Sequence, residues 1–477
     1  MSKDILFSKS DLFFTILRYL IFFIQAVKGF VLAYFLGPFF LGIYGFIMLY
    51  QQYLSYSNLG IEYSINSEVA VLDVNNIIEK QNLINSAFTW TLFMSILLMV
   101  ISSVIFVFKL ELFPFHNSHE YIFIIMLLTV FGHFQKIFVN IFRIEKKLKP
   151  IILSEFVTVS SLFLIIFLFE GIDLINAILY GWTLIVLLIL FYFKLIYKTP
   201  IRFNTSRIKH LLKIGLPLLI YAFSYYLMSL MTRTFIGVYY PTEIMGYFSI
   251  AINITTATML GLNTITWLIF PSLIKKLEDN SLNKEQLTNY IIKVGNKILA
   301  IVLTIIVISV LLLPAVFHFL EEYKPVLFTL IILLINQLVF NATYVIVTLS
   351  IARKLHLQIA LISVISVLVS TVVSYFFSEL GYPYIWLAVC NVFGNLIFCN
   401  LLIRFVSKKL ELDLRKLKKM FNWDIQLLII LSVIAAIFEF YWLVILVLFI
   451  MGILKYKFVM NIYHQIVRTV ISSMDRT

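Results

Sequence analysis

The sequence predicts an all-α polytopic membrane protein with about 14 transmembrane helices, built as two pseudo-repeated six-helix lobes plus a C-terminal helix pair. Three observations carry this: extreme apolar composition, apolar runs of spanning length, and self-similarity between the two halves. Of 477 residues, 62% are hydrophobic and 13% charged, against about 45–50% and about 25% in an ordinary globular domain. Fourteen spans of about 21 residues would use roughly 300 residues. Little chain is then left for a folded domain outside the bilayer, which excludes soluble enzymes and nucleic-acid-binding proteins despite the net charge of +13.

Apolar runs cut at charge clusters and at Pro/Gly punctuation place six helices at 12–36, 39–60, 83–108, 121–142, 151–169 and 174–197. A second six follow at 214–238, 244–274, 294–319, 326–350, 359–378 and 384–405, and two short runs, 425–440 and 441–455, close the chain. The expected organisation is an N-terminal lobe at 1–200, a C-terminal lobe at 201–406, and an amphipathic linker with the terminal helix pair at 407–477. Lys3 and Lys9 precede the first run with no small-residue cleavage site after it, so it reads as a retained span. Cys390 and Cys399 lie nine residues apart in one apolar run and lack the spacing of a metal site.

With the N-terminus in the cytoplasm, 31 of the 37 Lys and Arg residues fall on cytoplasmic segments or helix ends. Lys109, Arg233 and Lys324 fall outside, and Arg18, Lys28 and Lys136 lie within spans. The positive-inside rule therefore puts both termini in the cytoplasm and requires an even number of crossings.

The first six helices resemble the second six at a shift of about 205 residues. Pro38 in FLGPFFLGIYGF matches Pro241 in GVYYPTEIMGYFSI at 203, and Gly42 matches Gly246 at 204. Lys146-Lys147-Leu148-Lys149 matches Arg353-Lys354-Leu355-His356 at 207. Each half has an even number of spans, so the copies share one orientation, as in transporters built from parallel repeats.

Polar residues within spans are costly and normally face a bundle interior or a water-filled cavity. Tyr44, Gln51, Ser55, Asn58 and Glu62 share one face at helical spacing. Adding 205 to Tyr44, Met48, Gln51 and Asn58 gives Ser249, Asn253, Thr256 and Asn263, a matching stripe. Thr129, His133, Lys136, Asn140 and Arg143 form a cationic face. Arg143 is expected to snorkel to the interface, whereas the deeper Lys136 needs either an ion pair, with Glu155 as the expected partner, or an anionic ligand. Arg18, Lys28 and Arg233 add further cations. Central Arg or Lys costs about 2.5–3.5 kcal/mol on insertion scales, so cations exceeding the intramembrane carboxylates imply hydration or an anion.

No nucleotide-binding, metalloprotease or nucleophile-elbow motif occurs, and no outer loop is large enough for an extracellular catalytic site. The expectation is a protein that is not an enzyme, with no catalytic residues, no metal and no cofactor. Without a nucleotide site, any energy input comes from a proton or sodium gradient, with Glu62 and Glu155 as candidates for ion coupling.

The segment LGPFFLGIYGF followed by SNLGIEYSI resembles the N-terminal signature of Wzx-type O-antigen and capsular polysaccharide flippases, within the multidrug/oligosaccharidyl-lipid/polysaccharide (MOP) exporter superfamily. FRIEKKLKP, TRTFIGVYYPTEIMGYFSIA and ARKLH look like that family's corresponding elements, so the resemblance covers essentially the whole chain. It implies transfer of an undecaprenyl-pyrophosphate-linked oligosaccharide repeat unit from the inner to the outer leaflet for O-antigen (lipopolysaccharide) or capsule assembly, by alternating access. Under it, Arg18, Lys28, Lys136 and Arg233 would balance pyrophosphate in a cationic lumen. Gln51, Asn58, Asn253 and Asn263 would meet sugar hydroxyls. Partners would be the lipid-linked oligosaccharide, membrane lipids and other glycan-assembly proteins, with no nucleic acid. A peptidoglycan-precursor flippase and an ion-coupled multidrug exporter of the same superfamily are the alternatives.

Overall fold

The computed structural model describes residues 9–71, 77–110, 118–197, 204–278 and 283–455. Among the described residues every regular element is a helix, and no strand occurs. In chain order they are α1 (Lys9–Leu54), α2 (Ile61–Val71), α3 (Ile77–Val107), α4 (Ser118–Ile144), α5 (Leu148–Ile165), α6 (Gly171–Ile196), α7 (Thr205–Tyr239) and α8 (Thr242–Glu278). Then follow α9 (Lys284–Phe319), a 3-10 turn (Glu321–Val326), α10 (Leu327–Ala342), α11 (Tyr344–Ala352), α12 (His356–Glu379), α13 (Ile385–Leu410), α14 (Leu414–Lys418), α15 (Trp423–Ile437) and α16 (Tyr441–Leu454). The chain divides into two compact units, Met1–Ile250 and Ala251–Thr477. The division falls inside α8, so α7 and the start of α8 belong to the first unit.

Among the described residues, eleven helices are long and apolar enough to cross a membrane, or twelve when α7, bent by 50° near Ser224, is included. One of them, Leu17–Leu54, has 38 residues, about 57 Å at 1.5 Å per residue, far more than a hydrocarbon core of about 30 Å needs. It is two crossings. Helical geometry breaks at Gly37 (φ 64°, ψ 173°), a conformation open to glycine, and Pro38 starts the second helix. The contacts on each side show the reversal. Near the break, Phe35 packs edge-on to Phe167 beyond the end of α5, and the Phe40 ring lies against Gly171 at the start of α6. Far from it, Arg18 pairs with Glu155 on α5 and Asn66 accepts from Arg143 at the end of α4. With α1 divided and the shorter apolar helix Tyr441–Leu454 added, the expected fourteen crossings are present.

The turns after the fourth crossing of each half have the same form. Lys146 (φ 56°) and Lys354 (φ 57°) both take the left-handed conformation. Lys146 N–H donates to Arg143 O and Lys147 N–H to Phe142 O, and likewise Lys354 N–H to Ile351 O and Leu355 N–H to Ser350 O. This is the paired closure of a helix C-terminus by a left-handed residue. The backbone therefore equates Lys146 with Lys354 at a shift of 208, one more than matching the basic residues gives.

In unit 1 the core between α3, α4 and α6 is aromatic: Phe88, Phe138, Phe142 and Phe193 are buried together. In unit 2, Pro314 inside α9 has no N–H to give the carbonyl of Val310 one turn back. The Tyr441 hydroxyl at the start of α16 donates to that carbonyl instead. A proline defect in one helix thus becomes the docking point of the terminal pair.

Candidate functional site

Eight of the ten site residues expected from sequence lie in unit 1. Lys136 on α4 is ion-paired with Glu62 at the start of α2 (Nζ to Oε1, 3.5 Å), and Arg18 on α1 with Glu155 on α5 (3.5 Å). The expected Lys136–Glu155 pair is therefore not formed. Its reason is packing: the first crossing of α1 lies against α5 and brings Arg18 to Glu155, while α2 packs on α4 and brings Glu62 to Lys136. Asn140 adds a bond to Glu62 O at 3.4 Å, and Arg143 reaches Asn66 Oδ1 at 2.6 Å rather than only snorkelling. His133, from the same face of α4, is buried and shares a 3.0 Å hydrogen bond with Ser57.

Lys136 remains 45% exposed at the side chain, so its pair with Glu62 still opens to a space outside the core. Lys28, one crossing away on α1, is half-buried and makes no ion pair or hydrogen bond among the described residues. Gln51 is half-buried with its amide likewise unengaged. Of the site residues expected in unit 1, these three are the ones left accessible to a ligand among the described residues.

Two expected ligand groups are occupied. Asn58 is 1% exposed, its Nδ2 donates to Thr91 Oγ1 at 3.0 Å and its backbone carbonyl accepts from Trp90 Nε1 at 3.3 Å, so it offers no amide to a sugar. Arg233 on α7 is 5% exposed and donates to Gln52 Oε1 (2.7 Å) and to the Gly45 carbonyl (3.0 Å). It is a strut between α7 and the second crossing of α1, seconded by Tyr53 and Thr234, whose hydroxyls lie 2.8 Å apart.

Glycines let this contact form. A Cβ built on Gly42 would stand 2.0 Å from the Thr242 carbonyl oxygen, and one on Gly246 1.9 Å from the Pro38 carbonyl oxygen. The two residues equated by the internal repeat thus each receive the backbone of the other's helix. Nearer the start of α7, Arg207 grips Glu79 with two bonds of 3.1 and 2.8 Å, and His210 meets Glu68 at 3.0 Å. Sequence reading missed these pairs. Their partners are 128 and 142 positions apart, and nothing local marks them.

In unit 2, Asn253, Thr256 and Asn263 on α8 are exposed, and helical spacing puts them on one face. Exposed amides on a crossing helix call for water or a polar ligand beside them. Deeper in this unit, Asn395 Nδ2 donates to Asn336 Oδ1 at 2.8 Å. Among the described residues, no three His, Cys, Asp or Glu side chains are placed to hold a metal.

Charged groups, some ion-paired and some not, thus lie inside the crossings of this multi-pass helical membrane protein. A family model described as polysaccharide biosynthesis protein matches residues 31–318. The chain belongs to that family. Its fold matches that of a structure described as lipid II flippase MurJ in an inward closed conformation (TM-score 0.69, 14% identity, 96% of this chain and 99% of that one). It also matches an inward-facing multidrug resistance MATE family transporter of the MOP superfamily (0.61, 13%, 85% and 99%) and a MOP superfamily transporter from Pyrococcus furiosus (0.54, 13%, 85% and 95%). The chain thus shares the fold of structures described as a flippase and as transporters. No curated protein matches it in sequence.

Proposed function

We propose that this protein flips an undecaprenyl-pyrophosphate-linked oligosaccharide repeat unit from the cytoplasmic to the outer leaflet of a bacterial inner membrane, for O-antigen or capsule assembly. The observation that carries this reading is Lys28: an ammonium inside a crossing, with no protein partner among the described residues, in a chain of the polysaccharide biosynthesis family. Pyrophosphate and sugar hydroxyls lose several kcal/mol each when stripped of water without replacement partners. Lys28 and the half-exposed Lys136 supply charge for the first. Gln51, Asn253 and Asn263 supply hydrogen bonds for the second. Arg18 and Arg233, held by Glu155 and Gln52, reach substrate only if those contacts open during the transport cycle.

Coupling is assigned to a proton. Glu62 and Glu155 each pair with a cation through one oxygen and leave the other buried without a donor among the described residues. Protonation there removes the carboxylate's charge and releases Lys136 or Arg18 to a phosphate.

The experiment is the sidedness of lipid-linked oligosaccharide in cells depleted of the protein. Complete repeat units should build up on the cytoplasmic leaflet and clear when the protein is restored. Build-up of the peptidoglycan precursor instead would move the assignment to the second reading, which the likeness to the MurJ fold over 96% of the chain favours. Normal flipping of both lipids would remove the flippase reading.

A further inference from the structure

Unit 2 carries a groove of about 600 Å³ between α13 and α15, lined by Trp386, Phe393, Arg404, Trp423 and Ile430 among others. Both helices pack on α10 and meet through a reciprocal amide pair, Asn400 Nδ2 to Gln426 Oε1 at 3.1 Å and Gln426 Nε2 to Asn400 Oδ1 at 3.4 Å. Phe393, Trp423, Ile430 and Ile434 are exposed along it. So apolar an exposed surface on spanning helices faces lipid chains. The helices are antiparallel: Arg404 lies near the end of α13 and Trp423 opens α15, so both stand at the same end, which the charge distribution makes cytoplasmic.

Arg404 is exposed and makes no ion pair or hydrogen bond among the described residues. It sits six residues inside the end of α13, about 9 Å by helical rise. Eleven residues separate it from Phe393, about 17 Å, close to the roughly 15 Å half-thickness of a bilayer's hydrocarbon. The groove therefore pairs a cation at interface depth with an apolar furrow one leaflet long. Unit 1 repeats the arrangement. A smaller groove of about 210 Å³, lined by Phe88, Phe134, Phe138, Phe191 and Lys194, has its lysine in the last turn of α6. Lys194 is also exposed and unpaired among the described residues, and it precedes Arg404 by 210 positions, close to the repeat shift.

We infer that the α13/α15 groove is a binding site for an anionic glycerophospholipid of the cytoplasmic leaflet, its phosphate on Arg404 and one acyl chain in the furrow beneath. A glycerophospholipid fits because its phosphate and its chain end are one leaflet apart, as Arg404 and Phe393 are. Charge selects the anionic class: among the described residues no carboxylate pairs with Arg404, and the tryptophan that opens α15 stands at the same end, at headgroup level, where indole is favoured. The Lys194 groove is the weaker second copy. The site is independent of the transported substrate.

The test is native mass spectrometry of the delipidated full-length protein in detergent, titrated with phosphatidylglycerol or phosphatidylcholine. The first phosphatidylglycerol should bind three- to tenfold more tightly than phosphatidylcholine. Arg404→Gln should abolish that preference and Arg404→Lys should keep most of it. Ile430→Trp, which fills the furrow and leaves the arginine, should weaken binding of both lipids. Arg404 has no partner to lose among the described residues, so its variants should melt at the wild-type temperature in lipid-free detergent. Equal binding of the two lipids by wild type, or a preference that survives Arg404→Gln, overturns the site. Polyprenyl phosphate binding more tightly than phosphatidylglycerol, with the same loss in Arg404→Gln, overturns the assignment of a phospholipid.

Discussion

Lys28, Asn58 and Lys455 show how far a single residue can be read. Lys28 and Asn58 are both polar residues within apolar runs, and sequence puts both at the substrate. Packing separates them: Asn58 is spent on Thr91, whereas Lys28 keeps its charge unpaired among the described residues. Lys28→Gln should therefore cut transport tenfold or more at unchanged membrane level, about 1.4 kcal/mol per factor of ten, with Lys28→Arg retaining activity. Full transport by Lys28→Gln would strike it from the site. Asn58→Ala should instead lower stability by about 1–2 kcal/mol through the abandoned Thr91 hydroxyl, read as a lower melting temperature in detergent. Lys455, just past α16, had no signal in the sequence. It is 8% exposed, bonded to Asn296 Oδ1 and Met420 O, and burial pulls its ammonium down to about 8, against about 10.4 in an unfolded chain. The unfolded state binds the extra proton between those values, so stability should rise as pH climbs from about 8 towards 10.4. Lys455→Met should flatten that rise, and an undiminished slope in the variant would assign it to another group.

At the scale of elements, periodicity revealed which faces are polar but not which face meets which. Composition alone carries no register between helices. That is why the Lys136–Glu155 pair was the natural expectation and Lys136–Glu62 with Arg18–Glu155 the outcome. The repeat did mark one interhelical contact in advance, since Gly42 and Gly246 were already equated by their flanking sequence. Their mutual approach, with a built Cβ within 2.0 Å of a carbonyl oxygen at each, leaves no room for a side chain. Gly42→Val or Gly246→Val should cost about 1–3 kcal/mol by overpacking and push α7 and α8 away from α1. Cysteines at Tyr53 and Thr234, 2.8 Å apart at their hydroxyls, should cross-link readily in the otherwise native protein and several-fold less in either valine variant. Equal cross-linking would mean the contact is not glycine-dependent.

For the whole molecule, the apolar runs gave nearly every crossing, because spanning a bilayer demands length and apolarity and little else. What they concealed was continuity. Two crossings merge in α1, and α7 is divided by a bend, because helix boundaries inside lipid carry no polar punctuation. Lysine and arginine placement also predicts which loops face outward. Single cysteines at Lys109 and Lys324 should react with an impermeant maleimide added to intact cells, and those at Lys354 and Lys409 only after permeabilisation. The natural Cys390 and Cys399 are buried and should stay silent. Labelling from outside at Lys354 would invert the topology.

The reversal at Gly37 also bears on how the protein is made. No polar linker separates the first two crossings, so there is no segment for the insertion machinery to translocate between them and no point at which one is complete without the other. The pair must enter the bilayer together as a helical hairpin. Nascent chains that end shortly after Pro38 should remain extractable from membranes, and those that include the second crossing should become fully integrated.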